Sequence, residues 1–117
     1  MLTVNWVKPT SGPKWFALET YTFDSVTSEG VYVIWFDQHR IDNTVKVGQG
    51  IVADRLRSHQ ADQEILAYRQ FGTLLVTWAD VSVWQRGGVE LFLAEYYRPR
   101  IGERYPIVLP IEVNLPV

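Results

Sequence analysis

Apolar positions along the chain fall into short runs with two different periods, and the change of period marks out the elements. Val31 to Phe36 is an unbroken run of β-branched and aromatic residues, too short for a typical helix, which predicts a buried strand. After a loop around Gln38 to Asn43, Thr44 to Val47 repeats that composition. The two runs predict an antiparallel hairpin, and Gly48 and Gly50 are expected to break its second strand. From Ile51 the spacing changes to three and four: Ile51, Val52, Arg55, Leu56 and His59 predict an amphipathic helix. Asp62 is placed to cap a second short helix reaching Tyr68 or Arg69, with Ile65 and Leu66 turned inward and Gly72 ending the unit. Thr73 to Trp78 predicts a third strand. Gly87-Gly88 then precedes a last helix, whose apolar stripe is Val89, Phe92, Leu93 and Tyr96 and which Pro99 stops.

The two ends lack such periods. Pro9, Gly12 and Pro13 lie between Trp6 and Trp15 and predict irregular chain pinned by aromatics. The following WFALETYTFD suits either a short helix or a strand, with Thr20 to Phe23 favouring extended structure. Beyond Tyr105 the prolines at 106, 110 and 116 predict an extended strap over the core. The order strand, strand, helix, helix, strand, helix predicts one small α/β (α+β) domain over 1–117, with a three-stranded, mainly antiparallel sheet flanked by helices. Its core spans about 30–102, with an N-terminal extension (1–29) and a C-terminal strap (103–117).

Composition then removes several alternatives. Hydrophobic residues make up 47% of the chain, with five Trp and six Tyr, which excludes a disordered reading. The absence of cysteine excludes a disulfide frame, a thiolate nucleophile and a cysteine metal site. No apolar run approaches the roughly 18 residues of a membrane helix, and the N-terminus has no signal-peptide pattern, so a cytoplasmic protein without membrane contact is expected. A formal charge of −2 argues against broad electrostatic attachment to nucleic acid but leaves room for a local basic face.

Candidate chemistry lies in Tyr32, Lys46, Arg55, Arg57, His59 and Glu90. Arg55 and His59 share a helix face, and a hairpin can set Tyr32 beside Lys46. Phosphodiester cleavage needs a divalent metal on a hard oxygen ligand, a cation against the phosphoryl charge and an acceptor for a water proton. Glu90 can supply the oxygen, Arg55 the guanidinium, and Tyr32 or His59 the proton handling. The same residues also have a purely structural explanation. Tyr32 would be a core ring, Arg55, Arg57 and His59 a solvated helix face, and Glu90 an acid near a helix start, favoured there by the helix dipole.

In order and spacing these residues resemble the GIY-YIG endonucleases. Gly30-Val31-Tyr32 stands for GIY and Lys46-Val47-Gly48 for YIG; Arg55-Leu56-x-x-His59 is similar to the R-L-x-x-H of the family's first helix; Glu90-x-x-Leu93 and then Pro99 are similar to its E-x-x-L-I helix and closing proline. The resemblance covers about Gly30 to Gly102. Lys46 stands where the second marker tyrosine would be, as in the branch that writes K-I-G, and Gly102 where a late asparagine often follows the proline. The resemblance implies a GIY-YIG-like fold and a metal-dependent endonuclease that hydrolyses DNA. Glu90 would be the ligand of magnesium or manganese, Tyr32 would lie near the attacking water with His59 beside it, and Arg55 would sit on the phosphate. As cations, Lys46 and Arg57 are expected to bind substrate, Lys46 as a point charge that cannot donate and accept as tyrosine does. The alternative is a catalytically inactive domain of the same fold that binds nucleic acid or protein. A third reading is a structural domain whose exposed tryptophans form a homodimer. A stand-alone nuclease of this size would take its sequence specificity from oligomerisation or a partner protein.

Overall fold

The hairpin is the centre of the molecule. In this computed structural model, which describes residues 1–37 and 41–116, strand β2 (Glu29–Phe36) pairs antiparallel with β3 (Thr44–Ile51) on one side and with β4 (Leu74–Asp80) on the other. Of the expected hairpin loop, Gln38 to Arg40 lie outside the described residues, and Ile41–Asn43 form a 3-10 turn. A two-residue strand, β1 (Phe16–Ala17), adds to the far side of β4, so the sheet has four strands in the order β1-β4-β2-β3 rather than the expected three.

The α+β class is as expected. β1 escaped the sequence pattern because it is so short, and the neighbouring β-formers are used differently. Instead of an extended Thr20 to Phe23, the chain turns after Ala17 through a Tyr21 N–H to Ala17 carbonyl bond and makes a 3-10 turn at Phe23–Ser25. The rings of Phe16, Tyr21 and Phe23 pack on Trp78, so side-chain contact replaces a backbone ladder there.

Because successive strand residues point to opposite faces, β2 divides the core in two. Tyr32, Ile34 and Phe36 pack with Leu56, Ile65 and Trp78 beneath α1 (Val52–Gln60) and α2 (Gln63–Leu66). Val31, Val33 and Trp35 pack with Val47, Val89, Leu93 and Tyr97 beneath α3 (Val83–Tyr97). Asp62 caps α2 as its sequence predicts, accepting from the Glu64 N–H at 2.9 Å.

Three expectations about glycine and the last helix are corrected. β3 does not break at Gly48 and Gly50 but runs through both to Ile51, with Gly48 directly opposite Tyr32. α3 starts at Val83, so Gly87 and Gly88 lie inside it. They serve the C-terminal strap, since a Cβ on Gly88 would come within 2.6 Å of Ile111, whose N–H bonds the Gly88 carbonyl. Glu90 is therefore in mid-helix, which removes the helix-dipole explanation for it. The buried stripe of α3 ends on Tyr97, while Tyr96 is exposed. Arg98, in the left-handed conformation, and Pro99 end the helix.

The strap then crosses β3, where the Arg100 and Ile101 N–H groups bond the Thr44 and Val45 carbonyls. It finishes beside the N-terminus, with Leu2 bridged to Val113 and Asn114 bonded to both backbone groups of Val4. Among the described residues no helix is long and apolar enough to cross a membrane.

Candidate functional site

The buried polar residues are Thr44, Lys46, His59, Thr77 and Glu90. Three of them ionise, and burying an ionisable group is unfavourable unless it is neutral or paired. Lys46 is paired, and His59 and Glu90 are shifted toward their neutral forms, with His59 Nδ1 and Glu90 Oε2 buried without a partner.

Tyr32 and His59 form a pair. Tyr32 projects from β2 toward α1, and its ring lies across Gly48, where a Cβ would overlap the phenol. Its hydroxyl is 2.6 Å from His59 Nε2. Arg55, one helical turn before His59, donates to the same hydroxyl oxygen, which leaves the phenolic proton for Nε2 and makes His59 the acceptor. Burial, with Glu103 and Glu90 adding to it, pushes the Tyr32 hydroxyl up to about 12, and Arg55 opposes the rise. Burial and the charges of Lys46 and Arg55 push His59 down to about 4, so it is neutral at physiological pH.

That depression has a measurable consequence for stability. A depressed histidine contributes stability that is present above its unfolded value near 6.5 and is lost as pH falls toward 4. Wild type should lose up to about 3 kcal/mol more than His59→Gln across this window, since Gln can accept the Tyr32 bond but does not titrate. Urea denaturation at a series of pH values checks this, and parallel profiles would count against it.

Lys46 and Glu90 are arranged around a residue that sequence reasoning missed. Lys46 is 7% exposed, and its Nζ donates to Glu103 Oε2 at 2.9 Å, so its charge is committed within the protein. Glu90, 2% exposed, projects from α3 on the opposite face of the sheet. Its Oε1 accepts from Gln49 Nε2 at 2.8 Å, its carboxyl is in hydrogen-bonding contact with Glu103, and its Oε2 is buried without a partner. Burial, with Glu103 beside it, pushes Glu90 up to about 7, against the Gln49 bond and Lys46. Burial would also raise Glu103, but Lys46, Glu90 and Arg55 bring it below its ordinary value. The shared proton therefore resides on Glu90, and Glu103 stays ionised against Lys46.

β3 is an edge strand, and this is how groups from both faces of the sheet meet. Tyr32 and Lys46 come from the α1 side, Gln49 and Glu90 from the α3 side, and Glu103 closes the gap from the strap. Here an open cleft of about 600 Å³ is lined by Gln49, Arg55, Glu90, Glu103, Arg104 and Tyr105, with Pro106 and Ile107 at one side. Of the expected site residues, Arg55 and Glu90 line the cleft, while Tyr32, Lys46 and His59 are withdrawn from solvent behind it. Arg57 stands apart. Two residues beyond Arg55 on the helix, it does not line the cleft and pairs at the surface with Asp24 at 2.8 Å and Asp54 at 3.2 Å. Arg104 is the additional cation of the cleft, and nothing in its local sequence pattern marks it or Glu103.

The donor set suits a hard divalent cation. Glu90 and Glu103 both line the cleft, and Glu90 Oε2 is a buried oxygen without a donor. Among the described residues no group of three or more His, Cys, Asp and Glu is placed to hold a metal, so an ion here would complete its shell with water and substrate oxygen. The chain is thus a small α+β domain with a charged cleft at one sheet edge. Compared with family models, curated proteins and solved structures, it has no match.

Proposed function

We propose that this chain is a divalent-metal-dependent endonuclease of the GIY-YIG kind, hydrolysing DNA phosphodiester bonds. The observation that supports the reading is that Arg55 and Glu90, from opposite faces of the sheet, line one cleft, with the Tyr32–His59 pair buried behind Arg55. Magnesium or manganese, held by Glu90, would supply charge neutralisation at the phosphoryl oxygens. Arg55 takes the phosphate from the opposite wall. In leaving the Tyr32 hydroxyl to do so, it uncovers that oxygen for water.

The proton path follows from the pair behind Arg55. Burial pushes the Tyr32 phenol up and the His59 imidazole down, and both shifts disfavour a separate tyrosinate–imidazolium pair. Tyr32 instead relays. As the water oxygen bonds to phosphorus, a water proton passes to Tyr32 Oη while the phenolic proton passes to His59 Nε2. The P–O bond to the leaving alkoxide breaks, and the alkoxide takes a proton from solvent.

The second reading, an inactive domain of this fold that binds nucleic acid, is favoured by one observation: Tyr32 is fully buried, with Arg55 over its hydroxyl. Cleavage of plasmid, branched and single-stranded DNA with magnesium or manganese separates the two. Activity on any of them, abolished by Tyr32→Phe, supports the relay. Salt-sensitive binding without cleavage would leave the inactive domain, and in either case Arg55→Ala should lower the salt slope by about one. Binding that is insensitive to salt would remove both.

A further inference from the structure

We infer that Glu103, on the strap that crosses the sheet edge, is a second carboxylate ligand for a divalent cation held by Glu90. The inference rests on the nuclease reading and concerns a residue outside the motifs that suggested it. Glu103 is placed by the fold, because the Arg100 and Ile101 N–H groups bond the Thr44 and Val45 carbonyls and fix the strap against β3 just before it. Lys46 takes one of its oxygens, Oε2, at 2.9 Å, which orients the carboxylate and leaves the other oxygen for the cleft.

Glu90 is arranged the same way from the other side of the sheet. Gln49 holds Oε1 at 2.8 Å, and Oε2 is buried with no donor in a residue that is 2% exposed. The two carboxyls are in contact, each tethered by one oxygen. Two adjoining carboxyls, each held by the protein through one oxygen and with Glu90 Oε2 lacking a donor, match the requirement of a magnesium-sized ion, which would displace the proton between them, take one or two carboxylates and keep its remaining positions for water and phosphate. The two carboxylates oppose the charge of the divalent ion, while Lys46, Arg55 and Arg104 leave the loaded cleft positive toward a phosphate.

The test is manganese binding to the full chain without DNA, followed by electron paramagnetic resonance of the free ion and by the metal-induced rise in Tm. Wild type should bind one ion. Glu103→Gln, which can still accept from Lys46, should bind roughly tenfold or more weakly and lose the metal-induced Tm rise, each Tm rise being read against the variant's own metal-free Tm, which falls because buried Lys46 loses its anion. Glu103→Ala should bind as weakly. Glu90→Gln should lose binding as well. If both Glu103 variants bind manganese as wild type does while Glu90→Gln does not, the role of Glu103 is overturned and the nuclease reading stands. If wild type binds no manganese at millimolar concentration, both fall.

Discussion

Glu90→Gln is expected to lower DNA cleavage by about a thousandfold or more while the protein stays folded and still binds DNA. The substitution keeps size and the ability to bond Gln49 and Glu103, and removes only the negative charge. Its effect on stability has the opposite sign. Glu90 has a raised folded-state pKa of about 7, so in chelator the stability from its protonated form is fully present below about 4.5 and is lost as pH rises through 7. Glutamine does not titrate. The variant should therefore equal wild type in relative terms at low pH and gain on it by on the order of 1–3 kcal/mol at pH 8. Cleavage rates paired with denaturation curves at pH 5 and pH 8 check both halves. A variant that unfolds would make Glu90 a structural residue, and one that cleaves normally would end its role as metal ligand.

The second large effect is on the fold itself. Gly48→Ala should destabilise the domain by about 3 kcal/mol or more, a fall in Tm on the order of 10 °C. The added Cβ would occupy the space of the Tyr32 hydroxyl and its ring carbon Cζ, and would lie 2.8 Å from Cε1. Tyr32 has nowhere to move, being fully buried against the α1 side of the core. Displacing it also breaks the buried bond to His59, leaving Nε2 without its partner at a further cost of about 1–3 kcal/mol. Combining Gly48→Ala with Tyr32→Val should restore part of the loss, because the clash needs both side chains. Simple additivity in that double-mutant cycle would show that Gly48 is needed for another reason.

Much of this was legible locally. The apolar runs gave β2 and β3 their pairing, the helical spacing put Arg55 and His59 one turn apart, and Asp62 announced the start of α2. What the pattern could not carry was depth. Arg55 and His59 share a helix face by spacing, yet Arg55 reaches the cleft and His59 is sealed beneath it, because only His59 lies over the Tyr32 ring. Gly87 and Gly88 looked like a break because glycine weakens helices. Their use, admitting Pro106 and Ile111, depends on chain some twenty residues later. Glu103 was illegible for the same reason, since its partners Lys46 and Glu90 are brought to it by the strap and by no period in the sequence.

The strap also bears on how this chain behaves in crowded solution. β3 is the long open margin of the sheet, and an unpaired margin is a template on which another chain can add a strand. The Arg100 and Ile101 amides occupy carbonyls at the Thr44 end, while the opposite margin, β1, is only two residues long. Cutting the backbone between Pro99 and Gly102 would therefore do more than release Glu103: it would uncover a hydrogen-bonding ribbon and favour strand exchange between molecules. The same two peptide groups that seat a carboxylate in the cleft thus also cover the Thr44 end of the open strand.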